Sequence, residues 1–353
     1  MSKRQGCILK SFGYNRNNQR FVRWINGRRY IHMKLVILEA DCLGKDVSFD
    51  ILYEAGEVVS YGTTDYEQIG QRLKDADIAL INRCRMEEET LKDVKNLKLV
   101  CIMGTGTDMI DVEYMKKRGI YVSNVRGYST YSVTQHTFAM LFYVLEHLRY
   151  FDAYVKEGNY VIGKKQVYTS KEFTQIAGKT FGICGLGAIG KQVAAVAEAF
   201  GAKVIYYSTS GKNSNTQYEQ VSFDELLRRS DIVSIHAPLT MESKGLFDYD
   251  AFKKMKSTAI LVNVGRGAII VEEDLVRALN EGQIQAAALD VLVKEPMPKN
   301  HPFLGIQDSS KLFITPHIAW ASREARQLVI DEMALNIQAL QQGSVRNLIW
   351  DKK

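Results

Sequence analysis

The chain has 353 residues, more than one hydrophobic core usually serves, so its length predicts two domains. Apolar residues make up 46% of it and charged residues 24%, a composition typical of folded globular proteins and not of disordered ones. No apolar stretch reaches the roughly 18 residues of a membrane-spanning helix, and the N-terminus lacks the apolar core of a secretory signal. We therefore expect neither membrane insertion nor export, and a cytoplasmic location.

The net charge of +6 is unevenly distributed along the chain. Residues 1–32 contain eight basic side chains and no acidic one, whereas the other residues carry 38 basic and 40 acidic side chains. The basic segment has three interpretations: an artefact of start-site choice, a disordered tail, or an arm that binds nucleic acid. The near-neutral remainder gives no reason to expect nucleic acid as a partner.

The five cysteines follow no pattern that suggests a cross-link or a metal. They are scattered and include no C-x-x-C pair: Cys7, Cys42, Cys84, Cys101 and Cys184. We expect no disulfide framework and no metal site, which fits a reducing compartment.

From Met33 onwards, short apolar runs alternate with charged, helix-compatible stretches, the pattern of a parallel sheet with crossover helices. In the first domain the predicted strands are residues 35–38, 58–61, 78–82, 99–103 and 121–123. A long apolar-periodic helix over residues 132–155 follows, after hydroxyl residues that could cap it.

A second alternating region runs from Lys179 to about Thr315. Its predicted strands are residues 181–184, 204–207, 232–236, 260–263, 286–289 and 312–314. Six strands separated by helices predict a doubly wound sheet. A last helix over residues 323–341 lies outside that count and is expected to return to the first domain.

One glycine-rich turn indicates what the second domain binds. Gly185, Gly187 and Gly190 have G-x-G-x-x-G spacing between a predicted strand and an apolar helix, which is the dinucleotide-binding arrangement. The first glycine permits the tight turn, the second lets a pyrophosphate approach, and the third lets the helix pack closely. The phosphates would bind the amide groups near Ala188 and Ile189.

The end of the next strand bears on the choice of cofactor. NAD-specific enzymes place an acidic residue there, but this run reads YYSTSGK, with Ser208 and Lys212 and no acid. A hydroxyl cluster with a nearby lysine suits a 2'-phosphate. The run therefore favours NADP, while NAD held by hydroxyl and backbone groups stays open.

Several motifs recur together in one known order: MGTGTDMID, GYSTYSVTQHT, GLGAIG, VNVGRGAIIVEEDLVRAL, ALDVLVKEP and ITPHIAW. Over residues 33–349 the chain resembles the D-isomer-specific 2-hydroxyacid dehydrogenases, and within them hydroxypyruvate reductases, also called glycerate dehydrogenases. The resemblance implies an α/β fold with two doubly wound parallel-sheet domains. A Rossmann NAD(P)-binding domain, residues 132–318, would be inserted in a flavodoxin-like substrate domain, residues 33–131 and 319–349.

By that resemblance Arg266, Glu295 and His317 are the catalytic residues. Reduction of a 2-oxo acid needs a hydride at the carbonyl carbon and a proton at its oxygen, which His317 can supply near neutral pH. Glu295 would orient the imidazole and favour its protonated form. Arg266 presents a planar fork suited to the substrate carboxylate and carbonyl oxygen, a geometry that lysine lacks.

The resemblance also implies further cofactor residues. Asp290 would contact the nicotinamide carboxamide, and Thr134 would lie beside the cofactor. Ser208 stands where many members of the family have aspartate, which leaves the cofactor preference open.

Five residues of the first domain are candidates for substrate binding. By the same resemblance, the backbone at Thr105 and Gly106 would bind the substrate carboxylate, which fits the amide donors that glycine-rich turns expose. Asn82, Arg83 and Arg85 lie at the end of a predicted strand, at the sheet edge where ligands bind in such folds, and they are candidates for substrate selection.

Together these features predict an NAD(P)H-dependent reductase of small 2-oxo acids, with hydroxypyruvate to D-glycerate first and glyoxylate to glycolate second. A homodimer is expected from the resemblance. Two alternatives remain: a dehydrogenase of D-lactate or of branched D-2-hydroxy acids, and an NAD(H)-sensing binding protein similar to corepressors of the same fold.

Overall fold

The structure is a computed structural model that describes residues 22–25, 28–31, 33–163, 166–212 and 215–350. The protein has two compact units, Met1–Val125 with Val329–Lys353, and Arg126–Leu328. Among the described residues, none of the helices combines the length and the apolar character needed to cross a bilayer.

Part of the basic segment has regular backbone pairing. Strands β1 (Val22–Ile25) and β2 (Arg28–Ile31) form an antiparallel pair. The other residues of the segment lie outside the described ones, so the predictions about them stay untested.

The first unit contains a five-stranded parallel sheet. Its strands are β3 (Met33–Ile37), β4 (Gly56–Ser60), β5 (Ile78–Ile81), β6 (Leu99–Ile102) and β7 (Tyr121–Ser123). Its helices are α1 (Asp50–Ala55), α2 (Ile69–Leu73), α3 (Glu88–Leu91) and α4 (Val112–Arg118). The spatial order β4-β3-β5-β6-β7 is the flavodoxin-like order, as predicted. Every residue of β5 and β6 is buried, which explains why these strands read as continuous apolar runs.

The second unit contains a seven-stranded parallel sheet. Its strands are β8 (Thr180–Cys184), β9 (Lys203–Tyr207), β10 (Glu219–Gln220), β11 (Ile232–Ile235), β12 (Ile260–Asn263), β13 (Ala286–Leu289) and β14 (Leu312–Ile314). Its helices are α5 (Thr130–Leu145), α6 (Leu148–Lys156), α7 (Asn159–Ile162), α8 (Ala188–Ala199), α9 (Phe223–Arg229), α10 (Tyr249–Lys254) and α11 (Glu272–Glu281). The order β10-β9-β8-β11-β12-β13-β14 confirms the predicted Rossmann fold. Two separate apolar clusters form its core.

The last helix, α12 (Arg323–Gln341), has the predicted limits, and the residues after it pack within the first unit. The Gln341 side-chain amide donates to the carbonyl of Ala55, and Leu348 forms an antiparallel bridge with Ser123. The first unit is therefore assembled from both ends of the chain.

Two predictions about the second unit are wrong. The single helix over residues 132–155 is two helices, α5 and α6, because His147 has a left-handed backbone with φ of 51° between them. At this break the His147 ring bonds the carbonyl of Glu172 at 3.2 Å. The sheet has seven strands instead of six, since β10 is a two-residue edge strand whose exposed polar residues give no apolar pattern.

Candidate active site

An acid–histidine pair lies in the second unit. Glu295 Oε2 is 2.9 Å from His317 Nδ1, and Oε1 is 3.2 Å from the same nitrogen. The amide of Leu292 donates to Glu295 Oε1 at 2.8 Å, which fixes the carboxylate from behind. About a quarter of the His317 side chain is exposed, so a small molecule can reach the ring. Because Nδ1 faces the carboxylate, Nε2 is the nitrogen from which a proton would be donated.

The loop that carries His317 is held by a buried carboxylate. His317 has a left-handed backbone with φ of 56°, a conformation that a non-glycine residue keeps only where its surroundings impose it. Asp290, at 1% exposure, accepts from the amides of Ile318 at 2.9 Å and Ala319 at 2.8 Å and from the hydroxyl of Thr315 at 2.6 Å. Its two oxygens therefore bind both sides of the histidine. The predicted contact between Asp290 and the nicotinamide stays a prediction.

Two further side chains brace this loop. His136 Nε2 lies 3.0 Å from the Thr315 hydroxyl and 3.6 Å from Asp290 Oδ1. Since the Thr315 hydroxyl donates to Asp290, it accepts in its contact with His136, and His136 Nε2 is the donor. Trp320 Nε1 donates to the His317 carbonyl at 3.0 Å. The contact between His136 and Thr315 joins helix α5 to a loop 179 residues further on, and no sequence motif indicates it.

Arg266 follows strand β12 on a braced turn. Asn263, which is fully buried, donates to the Arg266 carbonyl at 3.0 Å and accepts from the Gly265 amide at 3.0 Å. The guanidinium donates to the Gly265 carbonyl at 2.9 Å. A Cβ on Gly267 would overlap the backbone of Leu292, so the turn lies directly against the segment that carries the glutamate. The structure thus pairs Glu295 directly with His317 and packs the arginine turn against the segment that carries Glu295.

The glycine-rich turn has the geometry of a dinucleotide site. Gly185 has φ of 94°, and a Cβ there would lie 2.7 Å from the Ala237 backbone. A Cβ on Gly190 would overlap the Gly185 carbonyl, whereas a Cβ on Gly187 would meet no atom within 4 Å. The turn is therefore open at Gly187, where helix α8 begins and its first amide groups, from Ala188 on, lack acceptors within the helix. These residues fit a bound pyrophosphate.

The other predicted cofactor residues lie on two elements. Ser208 is buried directly after β9, and the exposed Lys212 follows four residues later. Thr134 is buried in α5, and its hydroxyl donates to the Thr130 carbonyl at 2.8 Å.

A third histidine lies beside the glycine-rich turn. His236 directly follows β11 and donates its amide to the carbonyl of Cys184, the last residue of β8. Its Nε2 is 2.8 Å from the Ser234 hydroxyl, and burial lowers its pKa to about 3. This ring is therefore neutral at working pH and does not serve as an acid.

In the first unit, the predicted Asn82 loop is held by an acid that sequence reasoning missed. Glu39 Oε2 accepts from three successive amides, those of Asn82 at 2.7 Å, Arg83 at 2.8 Å and Cys84 at 3.0 Å. The Asn82 side chain reaches the Met103 carbonyl at 3.4 Å, which joins the loops after β5 and β6. Glu39 ends an apolar run and carries no motif, so only the fold identifies its role.

The loop after β6 holds the predicted carboxylate-binding backbone. The Thr105 hydroxyl donates to the Val125 carbonyl at 2.8 Å, and Asn124 donates to the Thr105 carbonyl at 2.8 Å. Thr105 is exposed and Gly106 partly so. Arg85 is exposed, with its guanidinium 3.7 Å from Glu87. Substrate binding by these residues stays a prediction.

A Rossmann sheet with an open glycine-rich turn, and an acid–histidine pair in the same unit, define the class of nicotinamide-dependent dehydrogenases. Residues 138–319 match the family described as D-isomer specific 2-hydroxyacid dehydrogenase, NAD binding domain. The chain is 35% identical to a hydroxypyruvate reductase of Blautia hydrogenotrophica, over 90% of this chain and 99% of the relative. It is 36% identical to a glycerate dehydrogenase of Methylorubrum extorquens, over 90% of this chain and 98% of the relative. The chain therefore belongs to the D-isomer-specific 2-hydroxyacid dehydrogenase family.

A solved structure agrees with this assignment. An acyclic imino acid reductase in complex with NADPH and D-Arg superposes with a TM-score of 0.80 at 30% identity, covering 90% of this chain and 100% of that one. The expected family and the expected fold are thus confirmed.

Proposed function

We propose that this chain reduces small 2-oxo acids to D-2-hydroxy acids with NAD(P)H, converting hydroxypyruvate to D-glycerate first and glyoxylate to glycolate second. The names of its two relatives, a hydroxypyruvate reductase and a glycerate dehydrogenase, support this substrate class. The observation that carries the proposal is the Glu295–His317 pair, with 2.9 Å between Oε2 and Nδ1. The same pair favours an enzyme over an NAD(H)-sensing binding protein, which has no need of a proton donor.

In the proposed reaction His317 gives a proton from Nε2 to the carbonyl oxygen of the substrate. Glu295 holds Nδ1–H and stabilises the imidazolium before transfer. Arg266 binds the substrate carboxylate and polarises the carbonyl through its planar fork. When bound, the reduced nicotinamide supplies the hydride that the carbonyl carbon receives. The products are the hydroxy acid and the oxidised cofactor.

The test is a matrix of initial rates with NADH and NADPH against hydroxypyruvate, glyoxylate, pyruvate and 2-oxoisocaproate. We expect hydroxypyruvate to give the highest kcat/KM. Preference for pyruvate or 2-oxoisocaproate would instead identify an enzyme for D-lactate or for branched 2-hydroxy acids. The variant His317→Asn should lose activity at least about 100-fold. His147→Asn is the matched control, because that histidine lies on the surface helices and its left-handed backbone also suits asparagine.

We propose that the cofactor is bound by residues on the glycine-rich turn, the β9 loop, α5 and the loop after β13: Gly185, Gly187, Ala188, Ile189, Gly190, Ser208, Thr134 and Asp290. We favour NADP, because the β9 loop offers hydroxyl groups and the exposed Lys212 with no acid before it. The variant Lys212→Gln should raise the KM for NADPH about fivefold and leave that for NADH unchanged. Lys203→Gln, at the opposite end of β9, is the control. Equal effects on both cofactors would favour NAD.

We propose that first-unit residues select the substrate: Asn82, Arg83, Arg85, Thr105 and Gly106. Loss of Glu39, which binds the amides of residues 82–84, should loosen this loop. The variant Glu39→Gln should raise the KM for hydroxypyruvate and leave the KM for the cofactor unchanged. An equal rise in both would remove the loop from substrate selection.

We propose a homodimer formed through helices α6 and α7. Neither helix contains a buried residue, and Val161 and Ile162 are 79% and 77% exposed. Helix α5 instead buries most of its apolar side chains within the second unit, with the Phe138 ring 5.9 Å from that of Phe181. Light scattering should give twice the mass of 40.0 kDa, and Val161→Asp should reduce it to that value. A monomeric wild type would contradict the proposal.

We also propose a cytoplasmic location. The described cysteines, Cys42, Cys84, Cys101 and Cys184, are all unpaired thiols. Burial raises the pKa of Cys101 and Cys184 to about 12, so these two thiols stay protonated. Fractionation of cells that produce the full-length protein is the test.

A further inference from the structure

The segment that carries Glu295 is held by a second carboxylate. Two successive amides point to two different acids: Leu292 N–H donates to Glu295 Oε1 at 2.8 Å, and Val293 N–H donates to Glu272 Oε1 at 2.8 Å. Glu272 is the first residue of α11 and is only 8% exposed. Two successive peptide units therefore join the acid of the Glu295–His317 pair to a buried acid from a separate helix.

Glu272 has a histidine of its own. His301 Nε2 lies 3.2 Å from Glu272 Oε2, and the His301 side chain is almost completely buried. Its Nδ1 accepts the amide of Phe303 at 3.3 Å, so the ring proton of the neutral form is on Nε2, towards the carboxylate. The contact is close without being aligned as a hydrogen bond. This second acid–histidine pair resembles the first in composition but is buried beyond the reach of a substrate.

A purely structural role does not explain why Glu272 is buried. An acid in the first turn of a helix is stabilised by the helix dipole, but the neighbouring Glu273 provides that charge from an exposed position. Burial of a carboxylate costs free energy unless partners compensate it, and the partners here are the amide of Val293 and the His301 ring. Gly267, next to Arg266, leaves no room for a side chain against Leu292 and Val293. A shift of these two residues would therefore reach the arginine turn as well as Glu295.

We infer that Glu272, backed by His301, is a positioning residue that holds the Leu292–Val293 peptide so that Glu295 stays in register with His317. The inference rests on the proposed roles of Glu295 and His317 in proton transfer. Misplacement of a reacting group by about 1 Å can cost about 100-fold in rate, so a modest slip of this segment has a large effect.

The test uses Glu272→Gln in the full-length protein. Its amide oxygen can still accept Val293 N–H, but its NH2 group then faces His301 Nε2–H, so one of the two contacts is lost in either orientation. We expect kcat to fall about tenfold, with the KM for the reduced cofactor unchanged. The high-pH limb of the reductive kcat profile should move to lower pH, because a displaced Glu295 stabilises the imidazolium less.

A rescue variant separates positioning from simple loss of stability. In Glu272→Gln with His301→Gln, the second amide oxygen can accept from the first NH2 group, and we expect most of the lost kcat and the original pH profile to return. Glu273→Gln is the exposed control on the same helical turn. Asp231→Asn is the stability control, since Asp231 also accepts an amide, that of Thr180 at 2.9 Å, and pairs with Lys256 at 2.8 Å at the opposite end of the sheet.

Two results would overturn the inference, and a third would overturn the proposed function. Wild-type kcat and pH profile in Glu272→Gln would overturn the inference, and so would a loss that follows only the folded fraction, as expected for Asp231→Asn. Full activity of His317→Asn would instead overturn the proposed function, whatever Glu272→Gln shows.

Discussion

Replacement of Glu295 by glutamine tests the electrostatic part of the proposed mechanism. The carboxylate has two tasks: Oε1 accepts from the Leu292 amide at 2.8 Å, and Oε2 faces His317 Nδ1 at 2.9 Å. Glutamine has one oxygen, so either the amide or the imidazole then meets an NH2 group at its best position. The variant keeps the size of the side chain but loses its charge and half of its acceptors.

The structure sets the size of the expected effect. Opposite charges about 4 Å apart interact by about 4 kcal/mol at an effective dielectric constant of about 20. The His317 and Glu295 side chains are 25% and 17% exposed. Solvent screening therefore reduces the interaction, and we take about 1.4 kcal/mol, equivalent to about a tenfold change in rate. Loss of the negative charge removes this stabilisation of the imidazolium.

The assay is the reductive kcat as a function of pH, followed by the absorbance of the reduced cofactor under saturating substrate. Reduction requires protonated His317, so the high-pH limb of the profile should move to lower pH in Glu295→Gln. At neutral pH kcat should also fall about 100-fold, because the imidazole is no longer held in one orientation. A lower kcat with an unmoved limb would refute the reasoning, since the glutamate would then act on geometry alone.

Three other changes give separate expectations. Arg266→Lys should raise the KM for the oxo acid about tenfold, because lysine cannot bind a carboxylate in a bidentate manner, whereas Arg277→Lys on the exposed face of α11 should change nothing. Gly190→Ala should lower the Tm by about 5 °C because its Cβ overlaps backbone, whereas Gly187→Ala should keep the Tm and raise the KM for the cofactor; a reversed pattern in thermal unfolding and kinetics would contradict the assignment. Burial lowers the pKa of His236 from 6.5 to about 3, so between these two pH values the unfolded protein binds more protons than the folded protein. The contribution of His236 to the free energy of unfolding therefore falls as the pH drops from 6.5 towards 3. His236→Gln should therefore lose less Tm than the wild type between about pH 7 and about pH 5.

The parallel sheets could be predicted closely from the sequence because their strands are buried on both faces. Every predicted strand is present, with limits within two residues of the expected ones. The failures share a cause, which is the lack of a local sequence signal. Strand β10 is held at the edge by its pairing with β9 and by the Glu219–Arg229 ion pair, and both of its side chains face solvent. The break at His147 has no glycine or proline to indicate it.

The acid–histidine pair could be predicted only because motifs identify its members, which are 22 residues apart in sequence. The residues that hold the pair have no such motif. Asp290 was assigned to the cofactor from family resemblance, yet its carboxylate binds the loop on both sides of His317. His301, which belongs to none of the family motifs, is a buried partner of Glu272. Contacts of this kind depend on where two distant loops meet, and the local sequence does not predict which loops meet.

The supporting contacts explain how a strained histidine keeps its position. The left-handed backbone of His317 costs about 1–3 kcal/mol for a non-glycine residue and persists only where neighbouring contacts impose it. Asp290 provides three of these contacts and Trp320 a fourth, so the ring reaches Glu295 with its backbone already fixed. Glu272 likewise holds the segment that carries Glu295, by accepting the amide of Val293. Each member of the pair is thus fixed from behind by a buried carboxylate. The 2.9 Å contact between them is therefore set by the scaffold before a substrate binds, which is the condition under which proton transfer requires little reorganisation.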